Sequence, residues 1–585
     1  MSLPSKIAVI VLTPGGADLA RRLTDMLPVE IHGPGLDRPA ERIAALFAEG
    51  QAIVGICAAG ILIRAVAPLL ADKRAEPPVL ALAEDGSAVV PLLGGHHGGN
   101  VLARLIAERL GIAPSITTAG DLRLGLSLDE PPPGWRIANP DRIKPIAAAL
   151  IAGAAARIEG EVPWLDPLRR ADDGSVGIRV TASRPAQGET ALIYHPPMLA
   201  LGVGCERGCD PGELETLVRS ALDEAGLAAD AVACVVSADL KADEPAVQAL
   251  AERLGVPARF FSVARLAEET DRLANPSETV FREIGCWGVA EGAALAAAGP
   301  QGTLIVPKRK SARATAAIAL APAPLDPAAI GQARGRLDII GIGPGSAEWR
   351  TPEATAALRG ADHLVGYGLY LDLLGDLAQG KQRHETGLGD ETGRARCALD
   401  LAAAGGRVAL ISSGDAGIYG LATLVFELLE REAKPEWRRV EIVPRPGLSA
   451  LQAAAARAGA PLGHDFCAIS LSDLMTPWPA IEKRLEAAAA ADFVVALYNP
   501  RSERRRDQLV AAKAIFLAHR PPETPVLLAR NLGRAGETIT IVDLAAFEPD
   551  EVDMLTLVMI GASTTRRVPG TKWIYTPRGY GDRQR

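Results

Sequence analysis

The sequence predicts an α/β protein of several domains. Its 585 residues suffice for roughly four folding units at the usual one to two hundred residues per domain. Short apolar runs closed by Gly or Pro, such as 52–56 and 231–237, alternate with stretches whose apolar residues recur at helical spacing, as after Leu214. This alternation is typical of buried, mostly parallel strands joined by helices.

Composition and charge exclude several classes of protein. With 62 Lys and Arg against 70 Asp and Glu, the net charge of -8 has the wrong sign for a module that binds nucleic-acid phosphates. The seven cysteines form no Cys-x-x-Cys pair, and so sparse a set in a long chain indicates reduced intracellular thiols rather than a disulfide scaffold. We therefore expect neither a nucleic-acid partner nor disulfides.

The first element is a short apolar run at 7–12, closed at once by Thr13-Pro14-Gly15-Gly16. This run is too short for the apolar region of a signal peptide and reads as a first buried strand with its turn. Arg64 interrupts the next long apolar segment, and no later run approaches the roughly eighteen residues needed to span a bilayer. These features predict a cytoplasmic protein without a membrane partner.

Two Pro-rich stretches break the alternation and divide the chain. One lies at 129–145 and the other runs from Leu320 through Pro327 to Gly335, where the composition is that of a semi-rigid linker. A new strand begins directly after it, at Leu337. The predicted divisions are a first α/β region at 1–135, a connecting segment at 136–197, a second α/β domain at 198–320, a linker at 321–335, and two further subdomains at 336–445 and 446–580.

Histidines and glycines share one loop in the first half. His96 and His97 stand between glycine pairs, but adjacent histidines do not form a ready-made metal pair. The alternative is a polar turn before a helix that begins near Val101, with Asn100 as its N-cap. A glycine loop at Gly204-Cys205, a charged run at 239–244 and Glu291 in an Ala-rich helix follow; singly, each is typical of a cap or a surface turn.

The glycine loop Gly341-Ile-Gly343-Pro344-Gly345 follows a predicted strand but is not a dinucleotide fingerprint. Its third glycine is one position early, and Pro344 removes an N–H that would bind phosphate. A nicotinamide oxidoreductase is therefore a weak alternative. The stretch 375–382 has P-loop glycine spacing, but Gln382 stands where the magnesium-binding Ser or Thr belongs.

Small-residue turns end three further apolar strands, at 412–420, 446–450 and 497–502. Strand ends that meet at one edge of an α/β sheet form a ligand cleft. The order Gly-Pro-Gly, Gly-Asp, Pro-Gly-x-Ser-Ala, Leu-Tyr-Asn-Pro and Arg530-Asn-Leu-Gly533 resembles the tetrapyrrole methylases, the S-adenosylmethionine-dependent class that builds sirohaem and cobalamin. Residues 463–478 and 498–502 are similar to the ring-contracting precorrin-3B C(17)-methyltransferases, and the resemblance spans 336–570.

This resemblance implies two α/β subdomains that hold S-adenosyl-L-methionine in the trough between them, usually in a homodimer. Its substrate would be a precorrin or cobalt-precorrin, and the sequence leaves open whether cobalt is already in the macrocycle. Carried over motif by motif, the donor pocket would contain Pro344, Ser413, Gly414, Asp415, Ile418, Ser449, Ala450, Asn499 and Gly533.

Methyl transfer needs in-line positioning and the exclusion of water, so turns of small residues suit it better than a charged triad. Ring contraction also moves protons, and His464 is the simplest general acid or base near pH 7, with Asp465, Asp415 and Tyr419 as alternatives. A loop histidine that merely bonds the backbone is an equal interpretation of His464.

A basic cluster follows the Asn-Pro turn at Arg501, Arg504, Arg505 and Arg506. One interpretation is a solvated helix face. The other is that an arginine fork binds carboxylates of the substrate, since the substrates of the family carry many carboxylates. Arg501 lies nearest the turn and is the candidate.

The first half, taken as an ordered set, resembles the cobalt-precorrin-5A hydrolases over residues 6–318. The matching stretches are 60–73, the His96 loop, 116–121, the Gly204-Cys205 loop, 241–244 and Glu291; residues 198–318 also resemble a small stand-alone family of the aerobic cobalamin route. The family reaction opens a δ-lactone and releases a two-carbon aldehyde, for which His96 and Glu291 are acid–base candidates, without a metal.

Two departures from the hydrolase pattern keep a second hypothesis open. An alanine is missing before Asn100, and Gly120 replaces a larger residue. The first half is then either a hydrolase or a non-catalytic module that binds a corrinoid or hands it over. The predicted whole is a fusion of a hydrolase-like half with a methylase.

Overall fold

The computed structural model describes residues 7–24, 27, 29–71, 76–117, 123–160, 162–387, 389–502 and 505–579. It divides into two compact units: Met1–Asp239 with Glu244–Gly331, and Leu240–Asp243 with Gln332–Arg585. Both units are built from sheets covered by helices, which confirms the predicted multi-domain α/β class. Within the described ranges, no helix is both long and apolar enough to cross a membrane.

The first sheet of the first unit has strand order β2-β1-β3-β4-β5, parallel except for β5. Its strands are β1 (Ile7–Val11), β2 (Val29–His32), β3 (Ala52–Ile56), β4 (Val79–Leu82) and β5 (Val89–Leu93). Its helices are α1 (Gly16–Thr24), α2 (Pro39–Ala48), α3 (Ala59–Val66) and α4 (Gly99–Leu110). Helix α4 begins earlier than predicted, so Asn100 is a buried first-turn residue and Gly98 takes the N-cap position.

A second sheet occupies the segment predicted to be a connection, 136–197. Its order is β6-β9-β8-β7, and its core contains Leu165, Leu192 and Tyr194. The prediction was wrong because prolines were weighted too heavily: Pro145 lies in the first turn of α5, where its missing N–H costs no helical bond. The elements are β6 (Arg136–Ile137), α5 (Ile143–Ile151), β7 (Ala156–Glu159), β8 (Val176–Val180) and β9 (Leu192–His195).

The third sheet of the first unit has order β12-β11-β10-β14-β13, with β14 antiparallel to both of its neighbours. Its strands are β10 (Leu199–Cys205), β11 (Val232–Ala238), β12 (Ala258–Phe261), β13 (Thr303–Lys310) and β14 (Ala314–Leu320). Its helices are α6 (Pro211–Glu224), α7 (Pro245–Leu254), α8 (Val263–Ala267), α9 (Glu278–Ile284) and α10 (Val289–Ala298).

The second unit begins with a wholly parallel sheet of order β17-β16-β18-β15-β19. Its strands are β15 (Arg336–Gly341), β16 (His363–Tyr367), β17 (Gln382–Thr386), β18 (Arg407–Ser412) and β19 (Glu441–Arg445). Its helices are α11 (Pro352–Gly360), α12 (Gly368–Asp372), α13 (Glu391–Ala403), α14 (Leu421–Glu432) and α15 (Pro435–Arg438).

A mixed sheet of order β21-β22-β25-β23-β24 completes the second unit, beside a small sheet of order β20-β27-β26. The strands are β20 (Gly459–Ala460), β21 (Phe466–Ser470), β22 (Val494–Tyr498), β23 (Pro525–Arg530), β24 (Thr538–Asp543), β25 (Thr556–Ile560), β26 (Arg566–Arg567) and β27 (Ile574–Tyr575). The helices are α16 (Ala450–Ala458), α17 (Trp478–Ala490) and α18 (Asp507–His519).

Strand direction decides which loops meet in the second unit. Strand β21 is parallel to β22, whereas β25 runs antiparallel to both β22 and β23. Strands β21, β22 and β23 therefore end at the same edge of the mixed sheet, where β25 begins. The turns that follow these ends are the places where a ligand cleft is expected.

Candidate active site

A cavity of about 230 Å³ lies within the second unit, at the carboxyl ends of strands from both of its large sheets. Eight of the nine residues predicted for the donor pocket line it, together with Tyr419. The eight are Pro344, Ser413, Gly414, Asp415, Ile418, Ser449, Ala450 and Asn499. The structure thus brings the separate sequence motifs to one place, while their role in holding a methyl donor stays a prediction.

Gly414, which lines the cavity, rests on backbone in direct contact with its own backbone. Gly343 and Gly414 exchange two hydrogen bonds, with N–H to O distances of 3.1 and 2.8 Å. A Cβ atom added to Gly447 would lie 2.2 Å from the carbonyl oxygen of Gly414, which is far inside van der Waals contact. Glycine is required there because any side chain would force these turns apart.

The carboxylate of Asp415 ties two of these turns together. One oxygen accepts a hydrogen bond from the N–H of Gly417 at 2.8 Å, and the other accepts one from the N–H of Gly447 at 2.9 Å. The first bond closes a local turn, while the second reaches the loop after β19. Asp415 therefore shapes the cavity wall through both of its oxygens.

Arg534, which was not predicted, joins the two halves of the cavity wall. Its Nε donates to the carbonyl oxygen of Pro344 at 2.8 Å, and its Nη2 donates to the Ser413 hydroxyl at 3.1 Å. It directly follows the Arg530–Gly533 motif, so extending that motif by one position would have found it. Gly533 does not line the cavity; its φ of 68° turns the chain so that Arg534 reaches Pro344.

Two tyrosines form a further part of the wall. The rings of Tyr419 and Tyr498 lie with their centroids 5.2 Å apart. The Tyr419 hydroxyl donates to the carbonyl of Ala468 at 2.9 Å, while the Tyr498 hydroxyl accepts from the N–H of Leu451 at 3.1 Å. Burial raises the pKa of each phenol above its ordinary value, so both stay protonated near neutral pH.

Helix α16 points its amino end at the cavity. Ser449 is its N-cap, and a reciprocal capping box with Gln452 holds the first turn. Ser449 is buried, and Ala450 beside it adds no bulk. The partial positive charge of a helix amino end favours an electron-rich ligand group at this wall.

The structure does not bring His464 to the cavity. His464 precedes the amino end of β21, whereas the cavity lies at the carboxyl end of that strand, one strand length or roughly 16 Å away. Its Nδ1 lies 3.5 Å from a carboxylate oxygen of Asp465. Neither His464 nor Asp465 is therefore positioned to act as the predicted general acid or base at this cavity. Asp415 and Tyr419 are the alternatives that line the cavity.

The predicted substrate arginine is also engaged elsewhere. Arg501 donates to the carbonyl of Asp550 at 2.6 Å and to its carboxylate at 2.5 Å, and it does not line the cavity. Arg505 is buried and donates to the carbonyl of Asn499 at 2.8 Å. Arg504 lies outside the described residues, and Arg506 is exposed. The three described arginines of the cluster are thus not all solvated, and none of them lines the cavity.

In the first unit, Glu291 is buried and fully bonded. One carboxylate oxygen accepts from Asn275 Nδ2 at 2.9 Å and from the N–H of Lys308 at 2.8 Å, and the other accepts from the N–H of Asn275 at 2.9 Å. Burial raises the pKa of Glu291, but these bonds outweigh it and hold the pKa below its ordinary value. Through these bonds Glu291 connects α10 to β13, and its acid–base role stays a prediction.

The remaining candidates of the first unit are only partly described. His96 lies in a short 3-10 turn at Gly95–His97, but its side chain lies outside the described residues, as do residues 72–73 and 118–121 of the resembling stretches. In the ranges that the structure describes, no group of three or more His, Cys, Asp and Glu side chains is arranged to hold a metal ion.

Family models match both units. The model of the tetrapyrrole (corrin/porphyrin) methylases matches residues 336–548. In the first unit, the models described as cobalamin synthesis G N-terminal and cobalamin synthesis G C-terminus match residues 41–121 and 199–319. The matches follow the order of the sequence motifs described above.

Individual relatives match the part of the chain that the methylase model matches. A probable cobalt-factor III C(17)-methyltransferase of Salmonella typhimurium is 47% identical over 244 residues, which cover 42% of this chain and 99% of the relative. A precorrin-3B C(17)-methyltransferase of a Sinorhizobium species is 43% identical over 249 residues, covering 42% and 97%. A cobalt-factor III methyltransferase of Priestia megaterium is 45% identical over 247 residues, covering 42% and 45%. The chain thus spans about half the length of that last relative.

Proposed function

The chain belongs to the tetrapyrrole methylases, and from this membership we propose that its second unit uses S-adenosylmethionine to methylate C(17) of a precorrin macrocycle with ring contraction. The observation that carries the proposal is the convergence of the separate small-residue turns on one cavity. Some relatives are named for cobalt-factor III and another for precorrin-3B. The proposal therefore covers both the cobalt-containing and the metal-free macrocycle.

The cavity fits a donor that is held through backbone and small side chains. A Cβ atom on Gly414 would meet only the Cα of Ser449, at 3.9 Å, and would otherwise project into open space. That space is the cradle that Pro344, Ser413 and Ala450 border. When bound there, S-adenosylmethionine supplies an electrophilic methyl group on a sulfonium sulfur.

The residues of the chain then hold the reactants in position and exclude water, and no charged triad is needed. The turns tied by Asp415 and Arg534 fix the cradle, and the exposed side chains of Ile418 and Tyr419 offer apolar surface at its mouth. Holding both reactants in line and excluding water can supply most of the acceleration that methyl transfer needs.

Ring contraction also needs a proton to move, and Tyr419 is the group best placed for it. It lines the cavity, and burial raises its pKa so that the phenol stays protonated; to donate that proton to a substrate, the hydroxyl must turn from the Ala468 carbonyl. Asp415 has both oxygens committed to backbone N–H groups, which suits it to shaping the wall.

Calorimetry with S-adenosylhomocysteine tests the donor site. In Asp415→Asn the amide NH₂ would oppose one of two backbone N–H donors, so we expect the affinity to fall about tenfold, as one lost charge-assisted bond predicts. The control is Asp376→Asn, which changes an exposed aspartate whose carboxylate accepts from Gln379. Unchanged affinity in Asp415→Asn would refute the placement of the donor.

For the first unit we propose the reaction implied by its resemblance, opening of the δ-lactone of the ring-contracted product with release of acetaldehyde. The alternative, a non-catalytic corrinoid-binding or handover module, is favoured by one observation: the carboxylate of Glu291 is buried and already bonded at both oxygens. The full chain, incubated with the lactone but without methyl donor, separates the two. Acetaldehyde supports the hydrolase, and binding without acetaldehyde supports the module.

A homodimer and a cytoplasmic location stay predictions. Sedimentation equilibrium of the full chain tests the first, since a monomer at micromolar concentration would contradict it. Cell fractionation tests the second.

A further inference from the structure

A second cavity, of about 470 Å³, adjoins the donor cavity and shares Tyr419 with it. Strand β21 supplies one wall through Ala468, Ile469 and Ser470. The segment after β21 and helix α17 supply the rest, through Ser472, Met475, Thr476 and Arg484. Six of these residues lie in the stretch 463–478 that carries the sequence resemblance, whereas Arg484 was not singled out from the sequence.

The lining combines one guanidinium with three aliphatic hydroxyls and the phenol of Tyr419. Ser470 Oγ accepts hydrogen bonds from Asn499 Nδ2 at 3.1 Å and from the N–H of Ser472 at 3.3 Å. A hydroxyl has two acceptor positions and one donor, so the Ser470 proton is left to donate. Hydroxyl donors beside a guanidinium fork form the donor set that a carboxylate requires.

The two cavities are joined by more than their shared wall. Asn499 lines the donor cavity and donates to Ser470, which lines the second one. The Tyr419 ring stands between them, and the positive charge of Arg484 lowers the pKa of Tyr419 against the larger effect of burial. A ligand that spans both cavities would therefore contact Tyr419.

Among the described residues, Arg484 takes part in no internal ion pair. Across the ranges that the structure describes, no carboxylate lies within ion-pair distance of its guanidinium, whereas Arg501 is paired with Asp550. Arg484 is exposed on α17, so its charge is available to a ligand without the cost of breaking an internal pair.

We propose that the second cavity is the subsite for a carboxylate-bearing side arm of the tetrapyrrole, with Arg484 as the residue that recognises the carboxylate and Ser470 as a supporting donor. This inference rests on the proposed function, because the macrocycle must lie over Tyr419 for its arm to reach Arg484. The apolar side chain of Met475, 91% exposed at the mouth of the cavity, would then be covered by the ring.

Steady-state methyl transfer by the full chain tests the subsite, with precorrin-3B and its cobalt form as substrates. In Arg484→Gln we expect KM for the macrocycle to rise about tenfold or more, as for a lost bond between charged groups, with kcat within about threefold. The affinity for S-adenosylhomocysteine should not change. Lys483→Gln, a neighbouring exposed cation that does not line the cavity, is the matched control.

Methyl-esterified substrate gives a second, independent measurement. Esterification should raise KM in the wild type and have much less effect in Arg484→Gln, because the ester removes the group that Arg484 recognises. Equal KM values in Arg484→Gln and the wild type, or equal ester effects in both, would overturn the subsite. Failure of the wild type to methylate either macrocycle while it still binds S-adenosylhomocysteine would refute the proposed function instead.

Free anions provide the last arm of the test. If acetate or inorganic phosphate protects Arg484 from modification by phenylglyoxal as well as the macrocycle does at equal concentration, the site binds anions generally and the proposal of a side-arm subsite is wrong. Protection by the macrocycle at far lower concentration supports it.

Discussion

The Nε of Arg534 donates a hydrogen bond of 2.8 Å to the carbonyl oxygen of Pro344, although the two residues are 190 positions apart in the sequence. The bond joins the turn after β23 to the turn after β15, one from each large sheet of the second unit. The same guanidinium reaches the Ser413 hydroxyl, so one side chain connects three turns around the cavity.

Replacing Arg534 should therefore loosen the donor cavity. For Arg534→Ala we expect the affinity for S-adenosylhomocysteine to fall about tenfold, since two hydrogen bonds worth about 1 kcal/mol each are lost and only part of that loss reaches the ligand. Titration calorimetry measures the affinity. Arg438→Ala, which removes an exposed arginine on α15, should leave it unchanged. An affinity equal to that of the wild type in Arg534→Ala would contradict a positioning role.

Gly414→Ala should abolish donor binding for a steric reason. The new methyl group would project into the cradle, and the φ of 68° would add about 1–2 kcal/mol of backbone strain. Gly375→Ala is the matched control, because Gly375 also has a positive φ, of 56°, but its Cβ would meet nothing within 4 Å. Comparable melting temperatures in the two variants, with binding lost only in Gly414→Ala, are the expected result.

Glu291→Gln should weaken the third sheet of the first unit. The amide keeps one acceptor oxygen but places an NH₂ group against donors, at a cost of about 1–3 kcal/mol. Faster hydrogen exchange of the β13 amides measures the change, and Glu283→Gln on the exposed side of α9 is the control. Unaltered exchange together with lost lactone hydrolysis would instead support an acid–base role for Glu291.

The same carboxylate should make the third sheet sensitive to acid. The folded pKa of Glu291 is depressed below its ordinary value of 4.5, so its stabilisation is fully present above that pH. As the pH falls below 4.5 and through the folded pKa, the stabilisation is lost. Exchange of the β13 amides in the wild type should accelerate over that range, and Glu291→Gln should show a smaller acceleration.

A histidine pair should make the edge of the parallel sheet sensitive to milder acid. His363 Nδ1 and His384 Nε2 lie 3.1 Å apart across β16 and β17. Burial, and then the charge of His363, lowers the pKa of His384 below its ordinary 6.5. The stabilisation that depends on neutral His384 is therefore fully present above its ordinary pKa of 6.5 and is lost as the pH falls through the lowered folded pKa. Exchange of β16 and β17 amides at pH 7.5 and 5.5 should differ more in the wild type than in His384→Gln.

The family assignment and the α/β class could be predicted because their signals are local. A turn such as Gly414-Asp415 can be predicted from small residues at the end of an apolar run. Several such turns in a fixed order identify a family. Eight of the nine predicted donor-pocket residues line one cavity for this reason. The fusion expected from the motifs agrees with the three family models.

The errors arose where long-range geometry decides. His464 lies close in sequence to a cavity strand, but sequence proximity does not tell which end of β21 faces the cavity. Arg501 directly follows a turn that lines the cavity, but its guanidinium pairs with the carboxylate of Asp550, 49 positions later. Arg484 was not predicted because an exposed arginine on a helix has no local signature, and its proposed role rests on the cavity beside it.

The contact of Gly343, Gly414 and Gly447 has a thermodynamic consequence. Immobilising a flexible side chain on binding costs about 0.5–1.5 kcal/mol, and Gly414, the one of the three that lines the cavity, has no rotamers to immobilise. The conformational entropy of that part of the site is already lost when the chain folds. The same turns then contribute to folding stability and to ligand affinity. A substitution that loosens these turns should therefore lower both the stability and the affinity.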